Sequence, residues 1–189
     1  MAVFRGFPWA DVPLYCVAQC LGGFFGAFIV YLGNRPALQA ADRSKTTGIF
    51  FTAPQTPDVS TGDAFLFEVI ATALLLIVIL ATSDKGNNPA GNLQPLVIGL
   101  TITLIGTSYG YQTGYALNPA RDLGPRFFTA LSGWSFDVFT MQNYYFWVPI
   151  VAPCLGALLG CGFYDFFIHS SERSPHHSDE RKPASELPS

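Results

Sequence analysis

A chain of 189 residues that is half hydrophobic, 15% aromatic and only 12% charged, with a mean hydropathy of +0.32, departs from soluble domains, where about a quarter of residues carry charge. That balance points to a membrane protein. The net charge of -3, with no dense basic patch, offers nothing to a nucleic acid.

Met1 to Asp11 carries one cation, Arg5, and leads into Val12–Leu32, an uncharged run of 21 residues. At 1.5 Å per residue such a run spans a hydrocarbon core of about 30 Å. A signal peptide is the alternative, disfavoured because its apolar region runs only about 7–15 residues behind a strongly basic start. Gly22 and Gly26, four apart, would let another helix approach closely. Gly33 to Gly62 reads as a polar connector interrupted by Ile49-Phe50-Phe51, and a connector of that length is expected to fold over something.

The second span, Ala64–Thr82, holds one carboxylate, Glu68. An ionisable group at membrane depth costs a few kcal/mol or more unless partnered, so Glu68 is a site candidate. Either it reaches the interface near the end of its span, or it accepts hydrogen bonds from backbone amides of a non-helical segment that lipid would leave unsatisfied. The second reading is preferred.

Ser83–Gln94 is a polar turn containing Asn88-Pro89-Ala90, read as loop chemistry because Gly91 follows at once. A short third span follows at 95–109, with Gly99, Gly106 and Gly110 along it or at its end. Then comes Gly114-Tyr115-Ala116-Leu117-Asn118-Pro119-Ala120-Arg121-Asp122-Leu123-Gly124-Pro125-Arg126. Asn118 caps and Pro119 starts a helix, predicted over about 119–131. Arg121 falls in its first turn, where the helix dipole disfavours a cation by roughly 0.3–1 kcal/mol. Local rules alone would stop that helix at Leu123, ahead of Gly124-Pro125. A half-helix at membrane depth must have its exposed backbone buried in protein or lining a water-filled path.

The fourth span is 146–168, with Asp165 near its end and Gly156 and Gly160 suited to close helix packing. Residues 169–189 read as a disordered polar tail, and His169, His176 and His177 as solvated tail residues rather than metal ligands. Cys16, Cys20, Cys154 and Cys161 read as small packing residues. Four spans put both termini on one face, and discounting Arg121 and Arg126 makes that face cytoplasmic. No nucleophile arrangement, nucleotide loop or metal cluster points to an enzyme, and no cofactor is expected.

A half-helix pointing its positive end into a pore, with Arg121 beside it, repels cations and donates hydrogen bonds to neutral polar solutes. Here the residues closely resemble the aquaporin family. Asn118-Pro119-Ala120-Arg121 looks like its second signature box, and the order of spans is similar to its third to sixth membrane helices. Asp122, Arg126 and Pro149-Ile150 resemble the residues that set the glycerol-conducting branch, the aquaglyceroporins, apart. The resemblance implies an all-α membrane protein, four transmembrane helices plus one re-entrant half-helix, without the family's first two helices and first Asn-Pro-Ala box. It implies passive passage of glycerol, small polyols and water, tetramers, and a half-helix that continues past Gly124-Pro125. Gly106 would then stand where water-selective members carry histidine, leaving room for a carbon backbone that slides along Tyr115. Arg121 would donate to solute hydroxyls, Asn118 would orient solute or water, and Glu68 would brace the inserted loop. The alternatives are a non-conducting fragment that associates with full-length channel subunits and, more weakly, a transporter coupled to a proton or sodium gradient.

Overall fold

The computed structural model describes residues 2–56, 58–87 and 89–169, which contain helices and no strand. Asn88, the second-box look-alike's first residue, His176, His177 and the expected tail beyond His169 lie outside them. Among the described residues, four helices are long and apolar enough to cross a membrane.

Helix α1, Val12–Ala40, starts with Pro13 in its first turn and runs well beyond the expected end at Leu32. The residues Gly33 to Pro36 read as breakers, but Asn34 Nδ2 donates to the Val30 carbonyl at 2.9 Å and Leu38, 3% exposed, joins a cluster with Phe50, Phe128 and Trp134. Tertiary packing overrides propensity here. The connector then folds inward, and Phe50 and Phe51 are buried as expected of an apolar interruption.

Helix α2, Thr61–Ser83, is capped by Ser60, whose hydroxyl accepts from the Asp63 N–H at 3.1 Å. Helix α3, Gln94–Thr113, begins with Pro95 and extends past the expected end at 109. It stops at Gly114, whose φ of +83° is the left-handed cap that glycine adopts without penalty. Pro89 and Ala90 are non-helical, in keeping with a loop there.

Helix α4, Pro119–Thr129, is the half-helix. It does pass through Gly124-Pro125 and ends in a wide turn over Ala130–Trp134. The reason lies in its docking: a Cβ on Gly124 would collide with the Cys20 carbonyl of α1, and one on Gly23 would lie 2.7 Å from the Ala120 carbonyl. Backbone thus meets backbone, which only glycine permits. Gly22 and Gly26, by contrast, face nothing within 4 Å, so the packing glycine of α1 is Gly23, one position away from the expected pair.

Helix α5, Val148–Phe167, follows the short turn Tyr145–Trp147. Gly156 and Gly160 press on the Val69 and Ala73 carbonyls of α2, the close packing that their spacing predicts. Helices α2 and α5 form the inner pair, and α1 and α3 flank it with mostly exposed apolar sides. Of the cysteines only Cys161 is buried; Cys16 and Cys154 are exposed and Cys20 lies between, so a packing role holds for Cys161 alone.

Past the end of α5, His169 Nδ1 lies 3.1 Å from Asp84 Oδ2, which also accepts from Tyr164 Oη at 2.8 Å. These hydrogen bonds, His169 first, hold the Asp84 carboxyl below its ordinary range. Asp165 makes a two-pronged ion pair with Arg5 at 2.5 and 2.9 Å. These contacts gather Arg5, the end of α5 and the α2–α3 turn at one end of the bundle.

Candidate functional site

Between α3 and α4 the chain runs as an irregular loop, Gly114–Asn118, that cannot satisfy its own amides. Tyr115 and Leu117 both take positive φ, 43° and 55°, unusual for residues with side chains. That geometry turns successive N–H groups toward α2, where Glu68 waits. Its Oε1 accepts from Ala116 N–H at 2.8 Å and from Thr113 Oγ1 at 2.6 Å, while Oε2 accepts from Leu117 N–H at 3.0 Å. Thr113 Oγ1 in turn accepts from Tyr115 N–H at 3.1 Å. A carboxylate is the side chain that accepts without donating, so it can take several converging donors. Glu68 is 0% exposed and does not reach an interface.

The loop delivers Asn118 to the start of α4, where its Oδ1 accepts from the Ala120 N–H at 2.9 Å and Pro119 takes the first helical position. Asn118 and Arg121 are exposed on the same end of the half-helix. Arg121 makes no ion pair among the described residues, and its guanidinium stands 5.9 Å from the centre of the Tyr115 ring. Ala120 is buried against α1, so it packs and does not face outward.

Gly106 and Gly110 lie one turn apart on α3, and the Tyr115 ring rests on both. A Cβ on either would sit 3.0 Å from a ring carbon. Gly106 therefore lies against Tyr115, and the room it leaves is filled by that ring.

Asp122 is placed differently from its neighbours. It is 0% exposed and faces away from Asn118 and Arg121, accepting from Thr52 N–H at 2.8 Å, Thr52 Oγ1 at 2.5 Å and Arg126 Nε at 2.7 Å. Arg126 is buried with it. Asp122 thus belongs to the support of the half-helix and not to its exposed face, because helical geometry turns it about 100° from Arg121.

Sequence reading missed Thr52, Thr113 and Tyr145. For Thr52 a signal existed in the adjoining Ile49-Phe50-Phe51, which already implied a buried connector; Thr113 and Tyr145 carry none. Among the described residues no group of three His, Cys, Asp or Glu side chains is placed to hold a metal ion.

The Major intrinsic protein family model matches residues 1–164. The chain is 44% identical over 183 residues to Aquaglyceroporin-2 of Rhizophagus irregularis, covering 92% of this chain and 58% of that protein. It is 45% identical over 174 residues to Aquaporin-2 of Rhizopus delemar, covering 88% of this chain and 55% of the other. It therefore spans a little over half the length of these relatives. Among solved structures, the aquaglyceroporin from Plasmodium falciparum superposes with a TM-score of 0.79 at 38% identity, covering 88% of this chain and 68% of that one. Matched along almost all of its described helices, the chain is an integral membrane protein and belongs to the major intrinsic protein family.

Proposed function

We propose that the chain forms the filter-bearing part of a channel for passive, gradient-driven passage of glycerol, small uncharged polyols and water. The observation that carries this reading is the pairing of an unpartnered, exposed Arg121 with the Tyr115 ring at the capped start of a re-entrant half-helix. Arg121 and the Asn118 carboxamide supply donors to hydroxyl groups, Tyr115 supplies an apolar wall for the carbon backbone, and the helix dipole opposes cations. Relatives named aquaglyceroporins support glycerol over a strictly aqueous solute.

In this reading no bond is made or broken, the assembly is a tetramer in the plasma membrane, and both termini are cytoplasmic. Supporting the last point, Arg5 and Lys85 line one cavity of about 340 Å³ at a single end of the bundle.

A second reading, association with full-length channel subunits, is favoured by the exposed apolar sides of α1 and α3, where Leu14, Ile29 and Leu104 are 68–70% exposed. Glycerol uptake by sealed vesicles containing the chain, beside Arg121→Ala and empty vesicles, tests the proposal. Uptake above the empty control that falls in the Arg121 variant supports a channel. Insertion without uptake supports association instead.

A further inference from the structure

Behind the exposed side of α4 lies a second polar cluster, whose members Thr52, Asp122 and Arg126 are all buried. Asp122 receives four donors: Thr52 N–H and Oγ1, Arg126 Nε, and Arg126 Nη2 at 3.0 Å. Three of these donors converge on Oδ2 and one on Oδ1, so both oxygens of the carboxylate are held. Arg126 also donates from Nη1 to the Val138 carbonyl at 2.6 Å and from Nη2 to the Thr52 carbonyl at 2.9 Å, with its plane 4.0 Å over the Phe51 ring. Tyr145 is buried as well, at 1% exposed. Three segments distant in sequence, at Thr52, Asp122–Arg126 and Val138, therefore meet at one guanidinium.

Stability alone does not account for such a cluster, since buried ion pairs exchanged for apolar residues of similar shape are often neutral or better. Direction accounts for it. The glycine contacts that dock α4 on α1 set how closely the two helices approach but supply no hydrogen bond that fixes its rotation. Pro125 weakens that helix further, because it has no N–H to give to the carbonyl of Arg121. Arg121 is the residue before Asp122, so whatever fixes Asp122 fixes the angle at which Arg121 leaves the helix.

We propose that Thr52 and Arg126 are positioning residues for Arg121: through Asp122 they set the rotation of the half-helix and thereby the width of the constriction between Arg121 and Tyr115. The inference rests on the channel reading above. It makes the connector between α1 and α2 a determinant of solute size although it never touches solute.

The test compares the full chain in vesicles with Thr52→Val, Thr52→Ser and Arg126→Lys. Thr52→Val keeps shape and the backbone donor but loses the hydroxyl; Thr52→Ser keeps both donors; Arg126→Lys keeps charge but loses the fork. Two quantities are read at equal folded protein: the permeability ratio of a four-carbon polyol to glycerol, and amide exchange over residues 119–124. Thr52→Val and Arg126→Lys are expected to shift each by about three- to tenfold, the range carried by one hydrogen bond, with Thr52→Ser restoring both. Unchanged ratio and exchange in both variants, or a serine variant no better than valine, overturns the proposal. Should the unsubstituted chain pass no polyol, the channel reading fails, and amide exchange alone decides the positioning role.

Discussion

The ring of Tyr115 occupies the space in which a side chain at position 106 would stand, with Cζ 3.0 Å from where a Cβ on Gly106 would lie. A methyl group there must push the ring toward Arg121 and narrow the gap between them. Gly106→Ala is therefore expected to lower polyol permeability relative to water by on the order of tenfold, the scale of one methylene in a shaped pocket. Tyr115→Ala in the same background should recover polyol passage. Paired stopped-flow measurements of water and glycerol check both.

Glu68→Gln preserves shape but presents an amide N–H₂ where only donors converge. At least one of the Thr113, Ala116 and Leu117 donors then loses its acceptor in a site closed to water. A destabilisation of about 2–4 kcal/mol is expected, from charged hydrogen bonds worth roughly 1.5–3 kcal/mol each and an unsatisfied donor left behind. Unfolding in detergent measures it, and Thr113→Val should also destabilise, because the Ala116 and Leu117 donors keep Glu68 while the Tyr115 N–H loses the Thr113 hydroxyl.

The glycines divide into two classes by what surrounds them. Gly124→Ala, Gly156→Ala and Gly160→Ala each drive a methyl group into a carbonyl of a neighbouring helix, for an expected loss of about 1–3 kcal/mol. Gly22→Ala meets open space and should gain up to roughly 1 kcal/mol from helix propensity. Thermal unfolding of the four variants separates the classes.

Asp84 titrates below the ordinary 3.8 because His169 and Tyr164 hydrogen-bond its carboxylate. A lowered carboxyl contributes stability that is present above its unfolded value and is lost as pH falls through the folded one. The end of α5 should therefore loosen as pH falls below 3.8. Amide exchange at Ile168 and His169, both donating to the Tyr164 carbonyl, is the readout. Asp84→Asn should weaken the acid dependence, leaving the part carried by the Arg5–Asp165 ion pair.

The spans and the half-helix were legible because they rest on local signals: uncharged runs of membrane length, and a cap followed by proline. Glu68 was legible for a related reason, since a carboxylate in an apolar run demands a partner and the irregular loop demands an acceptor. The extension of α1 to Ala40 was not, because Leu38 holds it through contacts made much later in the chain. Nor was the turning away of Asp122, which sits beside Arg121 in sequence and opposite to it in role. Gly23 was hidden behind the better spacing of Gly22 and Gly26, since which glycine packs depends on helix rotation and not on interval.

Glu68 is separated by 45 to 49 residues from the three groups that it holds. Ribosomes add about 5–20 residues per second, so its carboxyl waits some two to ten seconds for Thr113, Ala116 and Leu117 to be made. During that interval it stands in an apolar helix without its final partners, at a cost that membrane insertion must bear. The second span therefore enters the membrane with a carboxylate whose partners arrive only with the loop.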